Sequence, residues 1–197
     1  MEVSRYAQIN RMTKETDIAL SVDLEGSGIC RVETGIGFFD HMLNALARFA
    51  LVDLQGSCTG DLYVDGHHTV EDMGICLGQA IAKALGDKQG ICRLGRSGVP
   101  MDEALVQVTL DISGRGMLVF RGAFPTLSCG EYDTQLTEEF FRAVAHQAGI
   151  TLHMEICYGK NSHHITEALF KAFGDALRQA VTKNPRITGV QSTKGML

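Results

Sequence analysis

The chain repeats itself, and a duplicated chain must fold as two similar units, each needing the other to cover its apolar face. The stretch DIALSVDLEGSG at 17–28 matches EALVQVTLDISGRG at 103–116. Both alternate apolar and polar residues at period two and then turn on glycine, the pattern of a half-exposed strand. Aligning Asp23 with Asp111 also aligns Glu15 with Glu103. A helical pattern follows in each copy, FFDHMLNALARFA at 38–50 and LTEEFFRAVAHQAG at 136–149, the latter apolar at Phe140, Phe141, Val144 and Ala148. Apolar strands come next, LVDLQGSC at 51–58 and ITLHMEICY at 150–158, and a short loop then leads to long helices at 67–86 and 163–182. This order predicts an α/β (α+β) protein of two duplicated half-domains, 1–92 and 93–197. Each half is a small mixed sheet with two helices on one face, and the halves pack through their helices. No Pro- or Ser-rich linker interrupts the chain near residue 92, which predicts one compact unit.

Composition narrows the partners. Net charge is −5, so bulk electrostatics offers nucleic acid and anionic membrane no attraction, and an anionic small molecule would need a local cluster of Lys and Arg. The six cysteines form no C-x-x-C pair and read as small reduced core residues of a cytosolic protein. MEVSRYAQINRMTKE has no apolar stretch for a signal peptide, and Gln79 and Lys83 break the run at GICLGQAIAKALG, so no membrane span is expected.

The chemistry concentrates in two copies of one motif, His67-His68-x-x-Glu71 and His163-His164-x-x-Glu167. Positions i and i+4, or i and i+3, share a helix face, so a His and the Glu can reach one metal ion. Adjacent histidines diverge by about 100°, which directs the second His of each pair toward a different ion. One more ligand is expected upstream in each half: His41 in the first and, by the repeat, Glu139 in the second, with His153 in the following strand as the alternative. His146 reads as a surface helix residue. The ligand set is then His41, His67, His68, Glu71, Glu139, His163, His164 and Glu167. Imidazole and carboxylate without thiolate suit Mn²⁺, Fe²⁺, Zn²⁺ or Co²⁺. Arg93, Arg115, Lys171 and Lys194 lie near Gly, Ser and Thr, in CRLGR, ISGRG, FKAFG and QSTKGML, and are candidates for holding a phosphate with the hydroxyls of Ser192 and Thr193.

Along its whole length the chain resembles the imidazoleglycerol-phosphate dehydratase family of histidine biosynthesis. The resemblance runs through RMTKET, FFDHML, DGHHTVED, MDEAL, DISGRG, YDTQL, GITLH, GKNSHHITEALFKAF and STKGML. It implies a fold of the ribosomal-S5-domain-2-like type, two Mn²⁺ ions per subunit, and a homo-oligomer of 24 subunits assembled through metal sites between subunits. It also implies substrate contacts at Glu15, Arg93, Arg115, Lys171, Ser192 and Lys194. Many members have His where this chain has Glu139, which changes the charge of that ligand set. The chain is too short for the phosphatase domain fused to some relatives, so a monofunctional protein is expected.

The implied reaction converts imidazole glycerol phosphate to imidazole acetol phosphate with loss of water. Cations on both ring nitrogens would favour an imidazolate and then a diazafulvene-like intermediate. Glu15 is the candidate base or proton shuttle, with Glu71 and Glu167 as alternatives. Two other classes compete: a dinuclear hydrolase of phosphate esters, which would release phosphate, and an RNA-binding or interaction module, against which the acidic charge argues.

Overall fold

The computed structural model describes residues 5–196; residues 1–4 of the N-terminal stretch and Leu197 of STKGML lie outside it. The first half runs β1 (Tyr6–Met12), β2 (Thr16–Asp23), β3 (Cys30–Glu33), α1 (Gly37–Ala50), β4 (Asp53–Gly60) and α2 (His67–Leu85). The second runs β5 (Leu94–Met101), β6 (Ala104–Asp111), β7 (Met117–Arg121), a small β8 (Ser128–Cys129) and β9 (Tyr132–Asp133) ribbon, α3 (Leu136–Ala148), β10 (Thr151–Tyr158) and α4 (Ser162–Val181). The sheets have the orders β1-β2-β4-β3 and β5-β6-β10-β7, the same topology twice. Each is mixed, since β3 runs parallel to β4 and β7 parallel to β10 while the other pairs are antiparallel. Register repeats too, with Arg11 opposite Ile18 in one hairpin and Val99 opposite Val106 in the other.

Period-two alternation sends Ile18, Leu20 and Val22 of β2, and Val106, Val108 and Leu110 of β6, to the buried face. On that face α2 covers sheet one and α4 covers sheet two, while α1 packs on α4 and α3 on α2. The halves therefore meet helix to helix, as the repeat predicts, with a seam of Phe39, Phe140, Phe141, Phe170 and Phe173. Burying each such side chain is worth about 1.5–3 kcal/mol. Two glycines permit the close approach. A Cβ on Gly78 would lie 2.7 Å from the Val144 carbonyl oxygen, and one on its repeat mate Gly174 would lie 2.5 Å from that of Leu46.

Helices α1 and α3 end alike, on a left-handed residue whose N–H turns back onto the helix: Leu51 (φ 54°) and Gly149 (φ 66°). Counting back from these caps puts Glu139 at the place of His41. The chain crosses between halves early. Gly90 N–H donates to Gly189, Cys92 N–H to Thr182 and Arg93 N–H to Ala180, which ties the C-terminal segment beside the start of β5. All six cysteines are free, but only Cys58 and Cys76 are buried; the other four are half-buried, so the core reading holds for two of them. No helix among the described residues is long and apolar enough to cross a membrane.

Candidate active site

Helix α4 begins on Asn161, whose side chain accepts the N–H groups of His163 and His164 and so orients the motif from its first turn. One turn along, Glu167 is buried beneath His163. The Nε2 of His163 lies 3.2 Å from Glu167 Oε2, and His41 of α1 brings its Nε2 within 3.4 Å of the same oxygen. The three donor atoms all lie within 4.8 Å of one another, and no other group of this kind occurs among the described residues. Two imidazoles and a carboxylate without thiolate are a donor set that a divalent ion of the Mn²⁺ type accepts, so the residues present fit such an ion. Phe38 packs edge-on against the His163 ring at 5.0 Å, and both line an open cavity of about 830 Å³.

Lys171 sits here, apart from the phosphate candidates. Its Nζ is 2.7 Å from Glu167 Oε1 and 5.5 Å from the centre of the Phe49 ring. One more turn of α4 carries Lys171 onto Glu167's free oxygen, because i and i+4 are neighbours on a helix. Burial works against the charged Glu167 carboxylate, but Lys171 and His41 outweigh it and hold the carboxyl below its ordinary range.

The corresponding set in the first half stays open. His67 Nε2 and Glu71 Oε2 are 3.6 Å apart and both side chains are over two-fifths exposed. Glu139 does not close on them among the described residues; its carboxylate lies 3.4 Å from Arg142, one turn further along α3, which also hydrogen-bonds Glu138. The first half has Asn44 where the second has Arg142. His153 projects from the exposed face of β10, opposite the helices, and His146 is exposed at the end of α3.

The second histidine of each pair turns away from the first, with ring planes at 89° for His67 and His68 and 78° for His163 and His164. Each meets acidic side chains, of which sequence reasoning had named Glu15 alone and missed Asp61, Glu103 and Asp102 as site residues. His68 Nδ1 lies 3.0 Å from Asp61 Oδ2, with Glu15 Oε1 3.8 Å from Nε2. His164 Nδ1 lies 2.7 Å from Glu103 Oε2, with Asp102 Oδ2 3.5 Å from Nε2. A carboxylate on Nδ1 fixes the ring and leaves Nε2 for a ligand. The Asp61 hydrogen bond raises the His68 pKa, and the Glu103 hydrogen bond raises that of His164. Glu103 itself is lowered to about 2 by His164 and by the N–H groups of Lys160 and Asn161. The signal available in sequence was the alignment of Glu103 with Glu15; nothing in the local pattern marks Asp61.

The remaining predicted residues gather elsewhere. Arg93, Arg115, Ser192, Thr193 and Lys194 line one cavity of about 910 Å³, together with Ser113 and Gly114. Arg93 holds the unusual φ of +68° and grips Asp111 with two hydrogen bonds of 2.6 and 2.9 Å. Its remaining nitrogen donates to the Gln191 carbonyl at 2.8 Å, which draws the C-terminal segment over the cavity. Arg115 N–H donates to the Ser113 hydroxyl and Lys194 N–H to that of Ser192, leaving a turn of cations and small residues suited to an anion.

Comparison with known proteins identifies the family. Residues 34–177 match the family model described as imidazoleglycerol-phosphate dehydratase. Proteins of that name from Clostridium acetobutylicum and Acetivibrio thermocellus are 56% identical over 197 residues and 57% over 195. The matches span 100% of this chain and of the first relative, and 99% and 100% for the second. The crystal structure of the Staphylococcus aureus imidazoleglycerol-phosphate dehydratase superposes with a TM-score of 0.83 at 37% identity, over 91% of this chain and 99% of that one. The IGPD structure from Pyrococcus furiosus gives 0.83 at 35% identity, over 96% and 100%. Sequence agrees along the whole chain and fold over more than nine-tenths of it, and the chain belongs to the imidazoleglycerol-phosphate dehydratase family of enzymes.

Proposed function

We propose that this chain dehydrates imidazole glycerol phosphate to imidazole acetol phosphate in histidine biosynthesis, in the cytoplasm, with two Mn²⁺-type ions per subunit. The observation that supports this most is the meeting of His41, His163 and Glu167 across the two halves. The cationic cavity of Arg115 and Lys194 is its complement. His41, His163 and Glu167 would hold one ion; His67, Glu71 and Glu139 are the repeat's set for the other. His68 and His164, each with Nδ1 engaged, would offer Nε2 to the ions of neighbouring copies in a homo-oligomer, by family resemblance a 24-mer. When bound, the ions supply Lewis-acid charge that stabilises negative charge on an azole ring.

The chain's own residues do the rest. Arg115, Lys194, Ser192 and Thr193 hold the phosphate, and Arg93 keeps the C-terminal segment in place to do so. The reaction removes the hydroxyl from the carbon attached to the ring and a proton from the next carbon, and the resulting enol becomes the ketone. Glu15 is suited to the proton transfer. Its carboxylate accepts no hydrogen bond from the described residues, is half-exposed, and lies beside His68. Glu71 and Glu167 face histidines and are better placed as ligands. Purified protein supplied with Mn²⁺ and imidazole glycerol phosphate should form imidazole acetol phosphate and release no inorganic phosphate. Phosphate release without the ketone would make the protein a hydrolase instead.

A further inference from the structure

Behind Glu15 lies a buried polar cluster that neither the metal sets nor the phosphate cavity uses. Asp72 follows Glu71 on α2 and is 6% exposed. It accepts a hydrogen bond from Arg11 at 2.8 Å and one from the Thr16 hydroxyl, itself 3% exposed, at 2.5 Å. The Arg11 Nε is also buried and has no partner. Removing charges from water is costly, and apolar residues of similar volume in their place are often neutral or stabilising. The second half fills these places with smaller apolar residues. By the repeated register, Val99 stands for Arg11, Ala104 for Thr16 and Ala168 for Asp72. Ala104 and Ala168 are 1% and 0% exposed, so the same fold forms there without a buried charge.

The difference lies in what each hairpin presents to its histidine. In the second half Glu103 is consumed: it takes His164 and the N–H groups of Lys160 and Asn161. In the first half the turn is held from behind. Thr16 is fixed by Asp72, and the Thr13 hydroxyl accepts the N–H groups of Glu15 and Thr16 at 3.1 and 3.0 Å. The Glu15 carbonyl takes the N–H of Asp61 at 3.1 Å, and Asp61 in turn orients His68. Glu15 is thereby fixed by its backbone while its carboxylate stays free.

We infer that Arg11, Thr16 and Asp72 are positioning residues that lock the Thr13–Thr16 turn against α2 and so set the Glu15 carboxylate and Asp61 around His68. The inference rests on the reading of Glu15 as the proton-transfer group. The test copies the second half's solution into the first as the triple variant R11V/T16A/D72A, alongside Glu15→Gln. The triple variant should fold, with a thermal midpoint near that of the parent and unchanged Mn²⁺ content. Its KM should stay within about twofold while kcat falls about tenfold to a hundredfold, the range for loss of groups that orient a site. Amide hydrogens of Glu15, Thr16 and Asp61 should exchange faster in it, a readout independent of turnover. A folded triple variant with parental kcat overturns the inference, as does one in which midpoint, metal content and KM all deteriorate together. Full turnover by Glu15→Gln removes the reading beneath it, and the inference with it. Loss in Glu15→Gln with none in the triple variant removes the inference alone. Should the triple variant fail to fold, the hydroxyl decides. Thr16→Val should lower kcat and Thr16→Ser should restore it, and a Thr16→Val enzyme with parental kcat overturns the inference.

Discussion

In the second half, His163 and Glu167 close on His41 from the other half, and Lys171 balances the buried carboxylate. In the first half, His67 and Glu71 carry the same spacing on an equivalent helix, yet they face solvent while Glu139 turns to Arg142. Sheet topology, the C-caps of α1 and α3, and the glycine contacts are common to both, so the scaffold is not the main difference. The difference sits in single side chains: His41 against Glu139, Asn44 against Arg142, Phe49 beneath Lys171. A duplicated scaffold repeats the placement of ligands and leaves their electrostatics to diverge. The closed set is built within one chain. The open set is built to be finished by something else, and in our reading that is an ion together with a neighbouring copy.

That comparison can be broken most sharply at Glu167. Glu167→Gln should lower turnover on the order of a hundredfold or more, since loss of orienting partners alone costs tenfold to a hundredfold at metal sites. Glu139→Gln should cost much less. Steady-state kinetics with saturating Mn²⁺ would read both, and equal effects would mean that the closed and open sets do not differ in function. Next, Arg115→Ala and Lys194→Ala should each weaken substrate binding about tenfold to a hundredfold, from the loss of about 1.5–3 kcal/mol per charge-assisted contact. Metal content should not change, because neither residue touches a ligand. Undiminished binding of substrate and of inorganic phosphate by both variants would detach the cavity from the reaction.

The common scaffold is tested at its two helix crossings. Gly78→Ala and Gly174→Ala should each destabilise by about 1–3 kcal/mol, because the new methyl meets a carbonyl oxygen across the crossing. Denaturant melts would show similar losses if the halves pack alike, and a loss at only one position would show that they do not. The smallest effect is expected at Arg142. Replacing it with the first half's residue, Arg142→Asn, frees Glu139 from an exposed pair worth about 0.2–1 kcal/mol. Mn²⁺ affinity at the open set should rise by up to about fivefold in a calorimetric titration. Unchanged or weaker affinity would mean that Arg142 is not what holds Glu139 away.

Much of this was legible in the sequence because it is periodic. All four helices follow from apolar spacing and the central strands from alternation, since these elements bury a continuous face. The edge strands β1, β3, β5 and β7 were not individually readable, since edge residues such as Gln8, Asn10 and Leu94 face solvent and weaken the alternation. The motif pairs and the cationic cavity were legible from residue type and spacing. The repeat also led to Glu139 over His153, and the helix caps place Glu139 at the position of His41. What the sequence did not show were contacts made by distant side chains. Asp61 behind His68, Arg142 beside Glu139 and the Arg11–Asp72–Thr16 cluster depend on how loops and helices meet, which no local spacing encodes. Lys171 was grouped by charge with the phosphate residues, yet its helix register puts it on Glu167.

The central claim is that both motif copies bind metal, one ion each, and that turnover depends on them. Elemental analysis per chain on active wild-type protein, Glu71→Gln and Glu167→Gln, each after Mn²⁺ loading and removal of excess, tests it most directly. Gln keeps the shape and the helix but removes the charged oxygen on which a hard cation depends. The account predicts about two ions per chain in the wild type and about one in each variant, with most turnover lost in both. Two ions and full activity in both variants would make the paired motifs structural and would contradict it.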